Sequence, residues 1–216
     1  LSLLMVFMKL AEGMLVSMEI FAVTLIGSLP LGLLVAFGRM SKNTLLRNFV
    51  RIYISIMRGT PLMLQLIVVY YGPYYIFRLN ISAEYRMAAV MIAFIINYAA
   101  YFAEIYRGGI ASMPAGQYEA AHVLGYSGSQ TFFRIILPQV VKRILPAITN
   151  EVITLIKDTS LAFSISVMEM FTVAKSIAAA EKNIGALMAA GVFYYVFNFV
   201  VAWAMERLEK RLDYYR

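Results

Sequence analysis

The chain has 216 residues, of which 62% are hydrophobic and only 14% charged, and its formal net charge is +7. A water-soluble domain carries about 25% charged residues, so polar side chains are too few to cover an aqueous surface and much of it is expected to face lipid. Cysteine is absent and His122 is the single histidine, which excludes disulfides and thiolate or histidine metal centres; in so apolar a chain the basic residues fit orientation in a bilayer better than nucleic acid.

The sequence starts at Leu1, and its first segment lacks the charged start and small-residue cleavage site of a signal peptide. That segment is therefore expected in the mature protein. A bilayer core of about 30 Å needs about 20 apolar helical residues, and five stretches qualify. Gly13–Phe37 contains only Glu19 as a charge. Ile52–Phe77 contains only Arg58, and Met87–Tyr106 only Glu104. The fourth, Ile135–Val167, is interrupted by Lys142, Arg143, Glu151, Lys157 and Asp158. The fifth, Ile184–Met205, is uncharged.

Five spans place the termini on opposite sides. One side would hold Arg39, Lys42, Arg47, Arg51, Arg107, Arg134, Lys142, Arg143, Arg207, Lys210, Arg211 and Arg216. The other would hold Lys9, Arg78, Arg86, Lys175 and Lys182. The positive-inside rule then puts the N-terminus outside and the C-terminus in the cytoplasm. The expected fold is all-α, one polytopic membrane domain over residues 1–216.

The polar loop between the third and fourth spans, 107–134, would be cytoplasmic. Pro114 suits the first position of a helix. Gly125 stands where a left-handed terminating residue is wanted, and Ser127 or Ser129 can cap a second short helix. Pro138 would then start the fourth span. Ala120, Ala121 and Leu124 form a small apolar face with Glu119 beside it, and His122 falls on the exposed side.

The spacing Glu119-Ala120-Ala121, Gly125, Ile135, Leu137, Pro138 fits the pattern EAA-x3-G-x9-I-x-L-P at every fixed position. It resembles the EAA loop of the membrane subunits of bacterial ABC importers. Three more stretches are similar to the polar amino acid branch of that family: RGTPLMLQL at Arg58–Leu66, YFAEIYRGGIASMPAGQYEAA at Tyr101–Ala121, and KDTSL at Lys157–Leu161. The resemblance covers roughly residues 13–210. It implies that the loop is a coupling helix gripped by a separate ATPase dimer, with Glu119, Ala120, Ala121, Leu124 and Gly125 at the joint. It also implies a second permease subunit, identical or different, an external substrate-binding protein, and location in a prokaryotic cell membrane. No G-x4-G-K-[ST] occurs, so ATP and Mg belong to the partner and this chain carries no cofactor. No paired-carboxylate, Ser/His or metal arrangement marks it as an enzyme.

Charges inside a membrane cost about 2.5–3.5 kcal/mol at mid-helix and usually face a cavity or a partner. Asn97, Tyr101 and Glu104 share one helical face, as do Glu151, Thr154 and Asp158. Met57, Thr60 and Pro61 lie on neighbouring turns, and Pro61 frees a carbonyl one turn earlier. A bundle turns such faces inward. The candidate substrate residues are Met57, Thr60, Asn97, Glu104, Asp158 and Leu161. Thr60, Asn97 or free backbone N–H groups would meet a carboxylate, and Glu104 or Asp158 an ammonium. More than one carboxylate points to a basic amino acid such as arginine, lysine or histidine, with glutamine as the alternative. Structural readings stand beside these. Glu104 can pair with Arg58, Lys157 with Glu151 or Asp158, Asn97 can join helices, and Met57, Tyr101 and Leu161 can simply pack. The rival function is a passive five-helix channel, which needs neither ATPase nor docking loop.

Overall fold

The computed structural model describes residues 2–212. Arg216, counted above for orientation, lies outside the described residues. The described chain is helical throughout, without a strand.

Helix α1 runs Leu3–Arg39, starting ten residues before the expected span, because Ser2 caps it by accepting from the Met5 N–H at 3.3 Å. Its buried face is Leu10, Gly13, Ser17, Ile20, Thr24, Ser28, Gly32 and Ala36. Small residues recurring every three or four positions let another backbone approach, which is how helices pack without a hydrophobic driving force. The partner is α4, Tyr85–Ala111. A Cβ on Gly32 would stand 2.8 Å from the Phe102 Cβ and 3.0 Å from the Ala99 carbonyl oxygen, so this crossing tolerates glycine alone. The core around it holds Ile20, Leu66, Phe94, Tyr98, Phe102 and Leu155, all buried.

The second expected span, Ile52–Phe77, is corrected. It comprises two helices, α2 (Thr44–Gly59) and α3 (Leu62–Phe77), meeting at 110°. Pro61 has no N–H for the Met57 carbonyl and pushes Thr60 into extended backbone, φ −123° and ψ 148°. Helix α2 is amphipathic. Val50 and Ile54 are its buried residues, and Arg47, Arg51 and Arg58 flank them along the helix. Asn43 caps it through the N–H groups of Leu45 and Leu46.

The polar loop folds as expected into two short helices, and the second does not end before the next span. Helix α5, Ala115–Val123, follows Pro114. It stops at Gly125, φ +78°, with Gly125 N–H bonded to the His122 carbonyl and Tyr126 N–H to the Ala121 carbonyl. That pairing is the Schellman closure. Ser127, not Ser129, caps α6, Gly128–Thr131, in a capping box with Gln130. Helix α6 continues through a π-helical turn, Phe132–Ile136, into α7, Leu137–Asp158. The wider turn lies where Pro138 removes the N–H that the Arg134 carbonyl would use.

The fourth expected span, Ile135–Val167, is also corrected. Beyond Asp158 the chain tightens into a 3-10 turn, Thr159–Ile165. Ser166 then takes left-handed backbone, φ +61°, and α8 (Met170–Glu181) leaves at 57° to the preceding helical run. Helix α9, Gly185–Arg211, closes the order. Helices α1, α4 and α9 are each long and apolar enough to cross a membrane, and counting each bent pair as one span gives five.

Candidate functional site

The break between α2 and α3 leaves backbone carbonyls without helical partners, and side-chain amides take them. Gln65 sits one turn into α3, and helical side chains lean toward the N-terminus. Its Nε2 donates to the Met57 carbonyl at 3.0 Å, the Thr60 carbonyl at 3.1 Å and Thr60 Oγ1 at 2.8 Å. Asn97 on α4 donates through Nδ2 to the Met57 carbonyl at 3.1 Å and to Gln65 Oε1 at 2.9 Å. Thr60 donates its own hydroxyl to the Ile56 carbonyl at 2.8 Å. The Tyr53 hydroxyl ties α2 to the Ile96 carbonyl.

Beside this knot is a cavity of about 370 Å³ lined by α3, α4, α7 and the following turn. Thr60, Pro61 and Leu62 form one wall, and Asn97, Tyr98 and Tyr101 a second. Glu151, Thr154, Asp158 and Leu161 form the third. Tyr98 is buried and donates its hydroxyl to Asp158 Oδ2 at 2.7 Å. The Arg58 guanidinium lies over the Tyr101 ring, 5.4 Å from its centroid. The N–H groups of Leu62 and Met63, the first two of α3, have no hydrogen-bond partner among the described residues, and Pro61 offers no capping side chain. A helix start of this kind carries partial positive charge. Leu62, at this helix start, lines the same cavity as Glu151 and Asp158.

Of the six candidate substrate residues, Thr60, Asn97, Asp158 and Leu161 line this space. Met57 contributes its carbonyl to the knot behind the wall. Glu104 lies elsewhere, in a two-point pair with Arg107 at 2.8 and 3.1 Å and with Arg39 at 3.9 Å. The Arg58–Glu104 pair read from the sequence is not formed; Arg58 stacks on Tyr101 instead. Lys157 is exposed and makes no ion pair with Glu151 or Asp158. Gln65 and Tyr98 were missed. A single glutamine in the apolar run LMLQL, four residues after a proline, was the available signal for the first. Tyr98 adjoins Asn97 but lies off the Asn97–Tyr101–Glu104 face, so periodicity gave it no polar neighbour.

The loop residues separate into two groups. Glu119, Ala120, Leu124 and Gly125 are exposed, whereas Ala121 is 1% exposed and packs inside the loop. Ala121 is thus withdrawn from solvent, whereas Val123 and Leu124 beside it are 85% and 73% exposed.

Comparison with known proteins bears directly on this arrangement. Residues 28–214 match the family of binding-protein-dependent transport system inner membrane components. The chain is 36% identical over 211 residues to the L-cystine transport system permease protein TcyB of Bacillus subtilis (strain 168), covering 95% of this chain and 87% of that one. It is 38% identical over 210 residues to the octopine transport system permease protein OccM of Rhizobium radiobacter, covering 86% and 83%. Among solved structures, an amino acid ABC transporter with histidines superposes with a TM-score of 0.88 at 28% identity, covering 97% of each chain. The chain belongs to the binding-protein-dependent transport inner membrane component family.

Proposed function

We propose that this chain is the permease subunit of an ATP-driven amino acid importer and that its cavity holds the transported amino acid. The observation that carries the reading is the polarity across the cavity. Asp158 and Glu151 stand on one wall, and Leu62, whose N–H begins α3 without a partner among the described residues, stands on another. A free amino acid has the matching pair of charges. Its carboxylate sits at the start of α3, as anions do at helix N-termini. Its ammonium meets Asp158. Glu151 remains for a second cation, which favours a basic amino acid over a neutral one. Asn97 and Thr60 shape this wall but do not donate to the carboxylate, because their protons are committed to Met57, Gln65 and Ile56.

The relatives are named as permease proteins, which supports a chain that catalyses no reaction itself and relies on a separate ATPase subunit. The exposed end of α5, Val123 and Leu124, held by the Gly125 closure, is the surface we assign to that ATPase. The basic bias of the loops supports a cytoplasmic side for this surface and the C-terminus, with the N-terminus outside. A second permease subunit, an external binding protein, and ATP and Mg on the ATPase complete the assembly.

Reconstitution with the ATPase and binding protein tests the reading. Uptake should require ATP and should be competed by cationic amino acids more strongly than by glutamine. Flux that persists without ATP would favour the passive channel.

A further inference from the structure

We infer that Gln65 is a positioning residue for substrate: with Asn97 it locks the α2–α3 break at the angle that aims the first turn of α3 into the cavity. The inference rests on the cavity being the amino acid site. The argument begins with what Pro61 removes. In a continuous helix the Met57 carbonyl would accept from residue 61, and proline has no N–H to give. A buried carbonyl left unpaired costs about 1–3 kcal/mol, so the break needs a substitute donor. The two that supply it come from different elements, Gln65 Nε2 on α3 and Asn97 Nδ2 on α4. They also bond to each other through Gln65 Oε1. The carbonyl of one helix, the amide of the next and the amide of a third therefore close a three-cornered network, with Gln65 and Asn97 both buried.

This geometry does more than satisfy polar groups. Gln65 also holds both oxygens of Thr60, the residue that turns the chain between the helices. Thr60, Pro61 and Leu62 form one wall of the cavity, and Asn97 belongs to the opposing helix that carries Tyr98 and Tyr101. The network thus fixes the distance between the wall that offers N–H groups and the helix that presents Asp158 through Tyr98. A hydrophobic residue in place of Gln65 would let the α2–α3 angle relax. The N–H groups of Leu62 and Met63 would then point away from the carboxylate they meet. Binding sites gain affinity when such groups are held before the ligand arrives.

The test uses the complete transporter in proteoliposomes, with Gln65→Met as the variant of similar length lacking both donor and acceptor. We expect the KM for the transported amino acid to rise about tenfold, the loss of roughly one well-placed charged hydrogen bond, while the maximal rate and ATPase activity without substrate stay within about twofold. Gln65→Glu keeps the acceptor for Asn97 but turns an acceptor oxygen toward the Met57 and Thr60 carbonyls, and should raise KM at least as much. If Gln65→Met does not assemble, Gln65→Glu alone decides. An unchanged KM in the variant that assembles overturns the inference, as does an equal fall in maximal rate with no change in KM. Asp158→Asn is measured beside them. If it leaves substrate affinity intact, the cavity reading fails; if it weakens binding while the Gln65 variants do not, only the positioning role fails.

Discussion

The hydroxyl of Tyr98 lies 2.7 Å from Oδ2 of Asp158, joining the centre of α4 to the end of α7 across the floor of the cavity. Tyr98 is 2% exposed, and its ring packs among Phe94, Tyr101 and Phe102. The donor is therefore fixed before any ligand enters, and one oxygen of Asp158 is held while the carboxylate keeps further lone pairs for a cation. Tyr98→Phe should preserve folding and weaken substrate binding about three- to tenfold, since one hydrogen bond to a charged group is worth roughly 1.5–3 kcal/mol in place and part of it is recovered by water. Substrate-dependent thermal stabilisation of the purified complex measures this.

Glu104 should behave differently from Asp158. Its carboxylate is saturated by Arg107 and approached by Arg39. Glu104→Gln should leave the KM of uptake unchanged and lower stability by about 1 kcal/mol or less, the range of partly exposed pairs. A rise in KM comparable to that of Asp158→Asn would return Glu104 to the substrate path.

The loop gives a pair of opposed predictions. Leu124→Asp changes an exposed side chain, so it should leave insertion and stability intact while separating ATP hydrolysis from uptake. Gly125→Ala forces a side chain into left-handed backbone at φ +78° and should cost about 1–2 kcal/mol. Coupling assays in proteoliposomes and thermal melts distinguish the two. Normal coupled uptake in Leu124→Asp would detach this face from the ATPase.

Glu169 predicts a defect of fold. Its fully buried carboxylate caps α8 by accepting from the N–H groups of Phe171 and Thr172, each at 2.7 Å. It also accepts from the Thr172 hydroxyl at 2.7 Å and the Tyr194 hydroxyl at 3.1 Å. Glu169→Ala leaves these donors unpaired in an apolar setting and should destabilise by about 3 kcal/mol or more. Glu169→Gln keeps one acceptor oxygen and should be milder. Denaturation in detergent orders the three proteins.

Much of this arrangement is written in local pattern. The apolar runs Gly13–Phe37, Met87–Tyr106 and Ile184–Met205 hold at most one charge each, so hydropathy finds them. The polar faces of α4 and α7 bring Asn97, Tyr101, Glu151, Thr154 and Asp158 to one cavity because helical periodicity survives burial. Direction is what hydropathy lacks. Residues 52–77 are apolar on average, yet Pro61 turns the chain by 110°, and the count sums across the corner. The left-handed Ser166 hides α8 in the same way, since serine carries no mark of positive φ. Glu104 shares the face of Asn97 and Tyr101; its i, i+3 spacing to Arg107 is legible in sequence, whereas the approach of Arg39 from α1 shows only in three dimensions. Ala121 belongs to the small apolar face in sequence, yet it is 1% exposed, because spacing alone does not say which side of so short a helix faces the rest of the chain.

The central claim is that a cationic amino acid is held between the start of α3 and Asp158. Thermal stabilisation of the purified, fully assembled transporter by a panel of amino acids measures it most directly. The account predicts that arginine, lysine or histidine raises the melting temperature of the wild type more than glutamine does, and that Glu151→Gln removes that difference. Equal stabilisation by cationic and neutral amino acids in both proteins would contradict it.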